Sequence, residues 1–363
     1  MANQIKVNLK DKSYPIFIGD NSLVKAIETI NKSTVSKCLL IIDKNVLKYH
    51  SMLIRKNFAL INCKVYTFTF TATEKIKGLQ QTEKIYQFLI DNSFDRNSII
   101  VAIGGGITGD IAGFAASTYM RGIKVIQIPT TLLSMVDSSV GGKTGVNFNQ
   151  QKNIIGSFYQ PELVLISPNF LSTLPKRELD SAAGEIFKYA FLADEENYNL
   201  LKNSLFNIIT ARLLNVNKTI FACLKIKTSI VENDEKETTG LRKILNLGHT
   251  FAHAFEAQSN YKLKHGEAVI GGIYCALFLS ESLRYLSTER LNKILIDFAF
   301  IKPKQNLIGL DTNCVFQSMS GDKKNSLGKI KFVLIEEIGN IVVDATAQKS
   351  LVLDSIERMK KLI

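Results

Sequence analysis

The fold of the first half of the chain is set by the stretch Ser98-Ile-Ile-Val-Ala-Ile-Gly-Gly-Gly-Ile-Thr-Gly-Asp110. An apolar run of strand length leads directly into closely spaced glycines, and Ile111-Ala-Gly-Phe114 continues with helical character. Glycines at such a junction allow a tight turn and bring the N-terminus of the next helix close to an anionic group. The stretch therefore predicts a buried strand, a glycine turn and a helix, in that order.

Similar apolar runs recur on both sides of this stretch, and segments of helical pattern separate them. The runs cover residues 38–43, 63–70, 123–128 and 163–166. Strands and helices in alternation predict a parallel sheet that is covered on both faces. We therefore expect an N-terminal, Rossmann-like α/β domain over residues 1–172.

The pattern changes near Leu174-Pro175, after which apolar residues recur at spacings of three and four. This spacing is typical of helices. The predicted helices cover residues 176–192, 205–232, 242–258, 266–286 and 288–299, and short strands are predicted at 331–335 and 341–343. We therefore expect a second, mostly α-helical domain over residues 173–363.

The composition is that of a globular protein, since 46% of the 363 residues are apolar. The net charge of +12 comes without a dense basic tract, which argues against nucleic acid as a partner. No apolar run approaches the roughly 18 residues of a membrane helix, and the N-terminus lacks the pattern of a signal peptide. The five cysteines show no paired spacing. These features predict a cytoplasmic protein with reduced thiols and no membrane partner.

The glycines at 104–109 have the spacing Gly-x-Gly-x-x-Gly, which is typical of dinucleotide binding. The acidic residue expected about 20 positions later is absent, because Gln127-Ile-Pro-Thr130 stands there. Asp43, at the end of an earlier predicted strand, could face a ribose or adenine instead. The segment predicts a dinucleotide bound in a variant of the common mode, and a plain strand-to-helix turn is the alternative.

A second glycine-rich segment, residues 130–147, contains Gly141-Gly-Lys-Thr-Gly145. Glycines around a lysine favour close approach of the backbone to an anion. The segment is not a P-loop, because the first glycine of that motif is missing and no strand directly precedes it. A flexible surface loop is the alternative interpretation.

Three of the four histidines, His249, His253 and His265, lie in one short window. Histidine is the commonest transition-metal ligand, and His249 and His253 are four residues apart, on one helix face. A His-Glu-x-x-His protease motif is absent. Two histidines with a carboxylate, for which Glu185 is a candidate, form a catalytic zinc pattern. The alternative for any single histidine is a hydrogen-bonded core residue.

Taken together, the motifs resemble the 3-dehydroquinate synthase family, one of the sugar phosphate cyclases, over nearly the whole chain. The resemblance rests on Gly104-Gly-Gly-x-x-Gly-Asp110, Tyr119-Met-Arg-Gly122, Pro129-Thr-Thr-Leu-Leu133, Val136-Asp-Ser-Ser-Val-Gly-Gly-Lys-Thr-Gly145, Lys152-Asn153, Glu185-x-x-Lys188, Asp234-Glu235, Gly240-Leu-Arg242, Asn246-Leu-Gly-His-x-x-x-His253, His265-Gly-Glu267 and Asp322-Lys-Lys324. It implies conversion of 3-deoxy-arabino-heptulosonate 7-phosphate to 3-dehydroquinate and phosphate. In that reaction bound NAD is transiently reduced, phosphate is eliminated, the hydride is returned and an aldol closure follows.

The resemblance also implies residue roles, cofactors and an oligomeric state. It implies Glu185, His249 and His265 as ligands of one zinc or cobalt ion. It implies NAD contacts from Asp43, Glu74, Lys77, Gly105, Gly106, Gly109, Asp110, Thr130, Thr131, Lys143, Lys152 and Thr173. It implies catalytic or substrate contacts from Arg121, Asp137, Lys143, Asn153, Lys188, Lys227, Arg242, Asn246, His253 and Lys324. It implies a homodimer in which Arg121 reaches toward the partner's site.

Two related activities remain as alternatives. A sedoheptulose 7-phosphate cyclase shares the metal and NAD sites but differs at the positions that face the substrate carboxylate, so Lys227, Arg242 and Asn246 favour dehydroquinate synthase. A metal-dependent polyol dehydrogenase of similar architecture would release reduced cofactor.

Overall fold

The computed structural model describes residues 3–149, 151–260, 262–320 and 330–363. The chain divides into two compact units, Met1–Pro175 and Lys176–Ile363. Among the described residues, no helix is both long enough and apolar enough to cross a membrane.

The first unit is built on a seven-stranded sheet. Its strands in chain order are β1 (Asn3–Val7), β2 (Tyr14–Ile18), β3 (Lys37–Asp43), β4 (Lys64–Phe70), β5 (Ile99–Gly104), β6 (Lys124–Pro129) and β9 (Leu163–Ile166), and their order across the sheet is β1-β2-β9-β6-β5-β3-β4. All neighbouring pairs are parallel except β1 and β2. The predicted parallel sheet is confirmed, with one antiparallel strand added at its edge.

The order in which successive strands are added to the sheet reverses between β3 and β5. β4 lies outside β3 at one edge, whereas β6 and β9 follow on the other side of β5. Ile42 of β3 pairs with Ile103 of β5, so Asp43 and Gly104 end their strands at the same level. Ligands of open α/β sheets bind at such a point, beyond the carboxyl ends of the strands. The fold therefore predicts a ligand crevice beside the glycine turn.

Helices cover the sheet because each presents an apolar stripe to it. They are α1 (Ser22–Lys32), α2 (Lys44–Phe58), α3 (Leu79–Asp91) and α4 (Gly106–Thr118). Ile85 and Leu89 of α3 pack with Ile111 and Phe114 of α4 in one buried cluster. This packing holds the start of α4, and with it the glycine turn, against the sheet.

The segment around Lys143 has more regular structure than a loop. A π-helical turn, Ser134–Ser138, is followed by an antiparallel hairpin of β7 (Lys143–Phe148) and β8 (Gln151–Phe158). Val146 is fully buried, and a Cβ atom on Gly113 of α4 would lie 2.5 Å from Thr144 Cγ2. The hairpin is therefore anchored on α4 by close packing, which excludes the flexible-loop interpretation.

The second unit is mostly helical. It contains α5 (Lys176–Leu192), α6 (Glu195–Ile209), α7 (Val216–Asn233), α8 (His249–Gln258), α9 (His265–Ser282), α10 (Thr288–Asp297), α11 (Thr312–Ser320), α12 (Lys349–Lys360) and a hairpin of β10 (Phe332–Glu337) and β11 (Asn340–Ala345). α9 is buried over most of its length and packs against α5, α8 and α12. A helix that is apolar all round belongs in the core, and α9 forms the centre of this unit.

Two predicted helices are interrupted. The segment 205–232 falls in two helices, α6 and α7, separated at Ala211 and Asn215, which both have left-handed backbone conformations. The segment 242–258 contains a 3₁₀ turn, Leu241–Asn246, and then α8, with Gly248 at φ +76° between them. Apolar residues keep their helical spacing across such breaks, so a prediction from periodicity alone gave one helix where the structure has two elements. The sequence analysis also missed α11 and α12.

Glycines allow the helices of the second unit to cross at backbone contact. A Cβ on Gly184 of α5 would lie 2.1 Å from the Gly266 carbonyl oxygen of α9. A Cβ on Gly272 of α9 would lie 2.2 Å from the Gly248 carbonyl oxygen before α8. Any side chain at these positions would force the helices apart. The crossings therefore bring together the residues next to these glycines along the chain.

Candidate active site

The glycine turn in the first unit is tightly enclosed. Gly105 precedes the first turn of α4, and the Thr130 backbone N–H donates to the Gly104 carbonyl at 2.9 Å. A Cβ on Gly105 would lie 3.0 Å from Thr131 Cγ2, and one on Gly106 would lie 2.9 Å from Ser138 Oγ. The start of α4 has no side-chain cap. Its backbone N–H groups can therefore face an anionic ligand at close range.

A pocket opens at this turn. Its lining includes the predicted residues Gly105, Gly106, Gly109, Asp110 and Lys143.

Two hydroxyls in the pocket lining, those of Ser138 and Ser139, were given no role by the sequence analysis. Within the described residues, Ser138 Oγ and Ser139 Oγ are buried and have no hydrogen-bond partner. A buried hydroxyl without a partner costs about 1–3 kcal/mol. A polar ligand, such as a phosphate, would remove that cost. The two serines follow Asp137 directly in the glycine-rich segment, and this adjacency was the signal that could have identified them.

Four predicted residues meet around one buried lysine. Lys77 Nζ donates to Asp110 Oδ2 and to Asn153 Oδ1, both at 2.5 Å. Asn147 links the fourth member, Glu74, to Asn153, because its Nδ2 donates to Glu74 Oε1 at 2.7 Å and its Oδ1 accepts from the Asn153 backbone N–H at 2.9 Å. The structure thus joins the turn at Glu74, helix α4 and the β7–β8 hairpin. Asn147 is a member that the sequence analysis missed.

Asp43 and Thr173 lie in separate local networks. Asp43 Oδ1 accepts from the Asn45 backbone N–H at 2.7 Å and caps α2, while Oδ2 accepts from Ala72 N–H at 3.3 Å. Burial raises the pKa of the Asp43 carboxyl. Thr173 Oγ1 is 2.7 Å from His50 Nε2. Asp43 thus lies at the carboxyl end of β3, as expected, with both oxygens already engaged by backbone.

The other predicted residues of this unit lie on several separate segments. Thr131 Oγ1 is 2.9 Å from Ser134 Oγ, and Asp137 lies in the π-helical turn. Lys152 is exposed on β8. Arg121 is exposed after α4 with a left-handed φ of +70°.

In the second unit, Glu185, His249 and His265 form what we call the ligand cluster. One ligand atom from each lies within 4.8 Å of the others. Glu185 Oε1 is 3.4 Å from His249 Nε2 and 3.1 Å from His265 Nε2. Ligand atoms bound tetrahedrally to zinc at about 2.1 Å lie about 3.4 Å apart. The donor set and these separations fit a divalent metal.

The third histidine lies beside the ligand cluster. The ring centroid of His253 is 5.7 Å from that of His249 and 6.4 Å from that of His265. It is one helical turn from His249 on α8. His253 is thus close enough to contact a molecule bound at the cluster.

The electrostatics of the ligand cluster are those of a buried anion among cations. Burial raises the pKa of Glu185, but Lys188, with which it forms an ion pair, and the two histidines lower it well below the usual value. Burial lowers the pKa of His249 to about 4. Burial also lowers the pKa of His265, but Glu185 and Glu256 outweigh it and raise that pKa to about 10. The buried carboxylate therefore attracts positive charge to the place where a metal would bind.

Both cluster histidines also have contacts behind the ligand atoms. His249 Nδ1 is 3.1 Å from the Leu247 carbonyl oxygen, and His265 Nδ1 is 3.5 Å from Glu256 Oε2. Outer contacts of this kind orient metal-binding imidazoles. Glu256 was missed by the sequence analysis, although it follows His249 and His253 at the spacing of one helix face.

Arg242 is held by a folded segment that precedes the ligand cluster. Its backbone N–H donates to Asp234 Oδ2 at 3.1 Å, and its Nη1 donates to the Glu235 carbonyl at 2.6 Å. Arg242 is 2% exposed, and Lys227 on α7 is also buried. Asn246 ends the same 3₁₀ turn. Lys324, the last predicted substrate contact, lies outside the described residues.

Two solved structures of similar fold are synthases with bound ligands. One is 2-deoxy-scyllo-inosose synthase complexed with carbaglucose-6-phosphate, NAD+ and Co2+, with a TM-score of 0.88 at 24% identity, covering 98% of this chain and 100% of that chain. Another is 2-epi-5-epi-valiolone synthase from Streptomyces hygroscopicus subsp. jinggangensis 5008 with NAD+ and Zn2+ bound, with a TM-score of 0.86 at 24% identity, covering 98% of both chains. By its fold the chain belongs to the same structural class as these synthases.

Sequence comparison is more specific. The family models described as 3-dehydroquinate synthase N-terminal and C-terminal match residues 67–181 and 182–325. The 3-dehydroquinate synthase of Pelagibacter ubique (strain HTCC1062) is 42% identical over 348 residues, which cover 93% of this chain and 94% of that protein. The chain belongs to the 3-dehydroquinate synthase family, and the resemblance found in its motifs is confirmed.

Proposed function

We propose that this protein is a 3-dehydroquinate synthase, a carbon–oxygen lyase that converts 3-deoxy-D-arabino-heptulosonate 7-phosphate to 3-dehydroquinate and phosphate in the shikimate pathway. The observation that carries the proposal is the ligand cluster, in which His249 and His265 converge on the fully buried Glu185, in a chain of this family. Glu185 forms an ion pair with Lys188 through Oε2, while its Oε1 lies close to Nε2 of both His249 and His265, so the three donors converge as ligands of one metal do.

The ligand cluster would hold zinc or cobalt. A divalent metal bound there acts as a Lewis acid that polarises a substrate hydroxyl or carbonyl oxygen. Glu185 supplies the negative charge, and the Leu247 carbonyl fixes the ring of His249 by accepting from Nδ1–H. Two synthases of the same fold contain Co2+ or Zn2+, which supports this assignment.

NAD is assigned to the first unit. Bound NAD supplies a reversible hydride acceptor, which makes a neighbouring C–H acidic while a ketone is present. The N-terminus of α4 and the unpartnered hydroxyls of Ser138 and Ser139 in the pocket lining offer donors to a pyrophosphate. We assign the remaining NAD contacts as the family resemblance implies, to Asp43, Glu74, Lys77, Thr130, Thr131, Lys143, Lys152 and Thr173.

The substrate carries a carboxylate and a phosphate, and basic residues of the chain suit both. Arg242 is fixed by Asp234 and Glu235 and can present a planar guanidinium to a carboxylate. His253 lies one helical turn from His249, where it can bond the phosphate or carry a proton. We assign further substrate contacts to Arg121, Asp137, Lys143, Asn153, Lys188, Lys227, Asn246 and Lys324.

We further propose a homodimer in the cytoplasm, with NAD binding in residues 1–172 and metal and substrate binding in residues 173–363. The β7–β8 hairpin exposes Phe148, Ile154 and Phe158, and Met120 beside Arg121 is also exposed. Apolar side chains grouped on an exposed hairpin are typical of a subunit interface. Met120 and Arg121 both have left-handed backbone conformations, which cost energy and are often retained for function.

The test is release of inorganic phosphate from 3-deoxy-D-arabino-heptulosonate 7-phosphate with catalytic NAD and zinc, before and after a chelator. We expect release that stops on chelation and returns with metal, without accumulation of NADH. Release only from sedoheptulose 7-phosphate would assign the chain to the sister cyclases. Steady NADH production from a polyol would instead identify a dehydrogenase.

A further inference from the structure

Glu256 is a buried carboxylate on the same face of α8 as two histidines of the site. His249, His253 and Glu256 stand at positions i, i+4 and i+7, which share one face of a helix. Glu256 is 3% exposed. Carboxylates are almost never buried unless they are paired. A partner that accounts for this burial is the imidazole of His265 on the next helix.

His265 presents its two ring nitrogens to two different carboxylates. Nε2 is 3.1 Å from Glu185 Oε1, on the side where the ligand atoms of the cluster meet. Nδ1 is 3.5 Å from Glu256 Oε2. An imidazole that binds a metal through Nε2 carries its proton on Nδ1. A carboxylate beside Nδ1 therefore favours both the tautomer and the ring orientation that metal binding needs.

We propose that Glu256 is a positioning residue for the metal: it accepts a hydrogen bond from His265 Nδ1–H and so directs Nε2 of that ring to the ion. The inference rests on the proposed metal-dependent function and adds a residue to it. Glu256 acts through His265, so its loss lowers metal affinity and changes the metal's electronic environment, while the three ligand residues stay in place.

Glu267 provides a matched control. It is 2% exposed and lies in the first turn of α9, as His265 does. Its oxygens accept from the Lys264 backbone N–H at 2.9 Å and from Arg177 at 3.1 Å. Removing the charge of Glu267 should therefore weaken the start of α9 and leave the contact at His265 Nδ1 unchanged.

The experiment measures metal binding rather than turnover. Wild type, Glu256→Gln, Glu256→Ala and Glu267→Gln are freed of metal and titrated with Zn2+ against a coloured chelator, and with Co2+ while the visible spectrum is recorded. We expect Glu256→Ala to bind Zn2+ about 10- to 100-fold more weakly, with a shifted Co2+ spectrum. Glu256→Gln keeps an oxygen acceptor and should weaken binding by about 3- to 10-fold. Glu267→Gln should stay within about 2-fold of wild type.

Equal Zn2+ affinity in wild type and Glu256→Gln, with an unchanged Co2+ spectrum, would overturn the inference. Equal losses of Zn2+ affinity in Glu256→Gln and Glu267→Gln would also overturn the inference, because removal of either buried charge would then have the same effect. Glu256→Gln has the shape of the native side chain and decides the matter if Glu256→Ala does not fold. His249→Ala is titrated in parallel. Binding that does not depend on His249 contradicts the proposed function, whereas binding that depends on His249 but not on Glu256 contradicts only this inference.

Discussion

The two units of this protein build their functional regions differently. In the first, the glycine turn is a contiguous motif, and Lys77 ties neighbouring segments to it with side-chain hydrogen bonds. In the second, Glu185, His249 and His265 come from three helices that meet at glycine crossings, with little room for adjustment. A change in the first region should weaken one ligand contact, whereas a change at the crossings should displace the whole ligand cluster.

The largest effect is expected from Gly266→Ala. The new Cβ would lie 1.6 Å from the Ser181 carbonyl oxygen, so α5 and α9 must separate. We expect a free energy of unfolding lower by about 3 kcal/mol or more, together with loss of zinc binding. Denaturant unfolding and a zinc titration measure both. Gly309→Ala is the control, because its Cβ would meet nothing within 4 Å. Equal stability of the two variants would contradict the role of the crossing.

Glu185→Gln should come next. It keeps the shape of the side chain but removes the charge between the two histidines, and it leaves buried Lys188 without this counter-ion. We expect kcat/KM to fall about 10³-fold, which corresponds to about 4 kcal/mol, with bound metal largely lost. The control is Glu178→Gln on the same helix, which removes only a partly exposed ion pair with Lys264 and should keep near-normal activity. Full metal content in Glu185→Gln would contradict the assigned ligand role.

Lys77→Met tests the first unit. The variant leaves Asp110 and Asn153 without the ammonium that joins them. We expect the NAD dissociation constant to rise about 10-fold and the zinc affinity to stay unchanged, since Lys77 Nζ bonds to Asp110 and Asn153 of the first unit whereas the ligand cluster belongs to the second. Isothermal titration with NAD and with zinc separates the effects. Lys75→Met, an exposed lysine of the same turn, is the control. A fall in zinc affinity in Lys77→Met would contradict the comparison.

The smallest effect is expected at Asp234. Burial raises the pKa of its carboxyl, but the backbone N–H groups of Thr239, Arg242 and Thr238 outweigh burial and lower it to about 2. The ionised carboxylate therefore stabilises the fold above the unfolded pKa of about 3.9, and this stabilisation is lost as the pH falls toward 2. We expect Asp234→Asn to unfold about 1 kcal/mol more easily at pH 7, with the difference from wild type shrinking below pH 4. Urea unfolding of both proteins at pH 7 and pH 3 gives their free energies of unfolding. The same difference between wild type and variant at both pH values would show that the charge of Asp234 is not the cause.

How much was predictable from the sequence differed between the two units. The strand at residues 98–103, the glycine turn and the sheet followed from local patterns, since each is encoded within about ten residues. The histidine window also gave a metal hypothesis, and the structure brings His249, His265 and Glu185 together. The position of Lys77 between Asp110 and Asn153 did not follow, because these residues are distant in sequence and meet only through tertiary packing.

Other features were hidden because they leave no periodic signal. The break at Gly248 depends on a left-handed backbone and on the nearby α9, neither of which changes apolar spacing. Glu256 was overlooked because a charged residue on a helix is usually solvated, and only tertiary structure shows that it faces His265. Ser138 and Ser139 stood in a motif that was recognised, but which hydroxyls are buried cannot be read from residue type.

The helix crossings at Gly184, Gly248, Gly266 and Gly272 have a consequence for how this protein tolerates mutation. At each of these glycines, a backbone atom of a neighbouring segment lies within 3 Å of the position that a Cβ atom would occupy. In a scan of all single substitutions, these four positions should be as intolerant as the ligand cluster itself, although glycine has no group that could bind a metal or substrate. A ranking of positions by tolerance alone would therefore mark the glycines as catalytic, and only a binding assay on folded variants could separate the two groups.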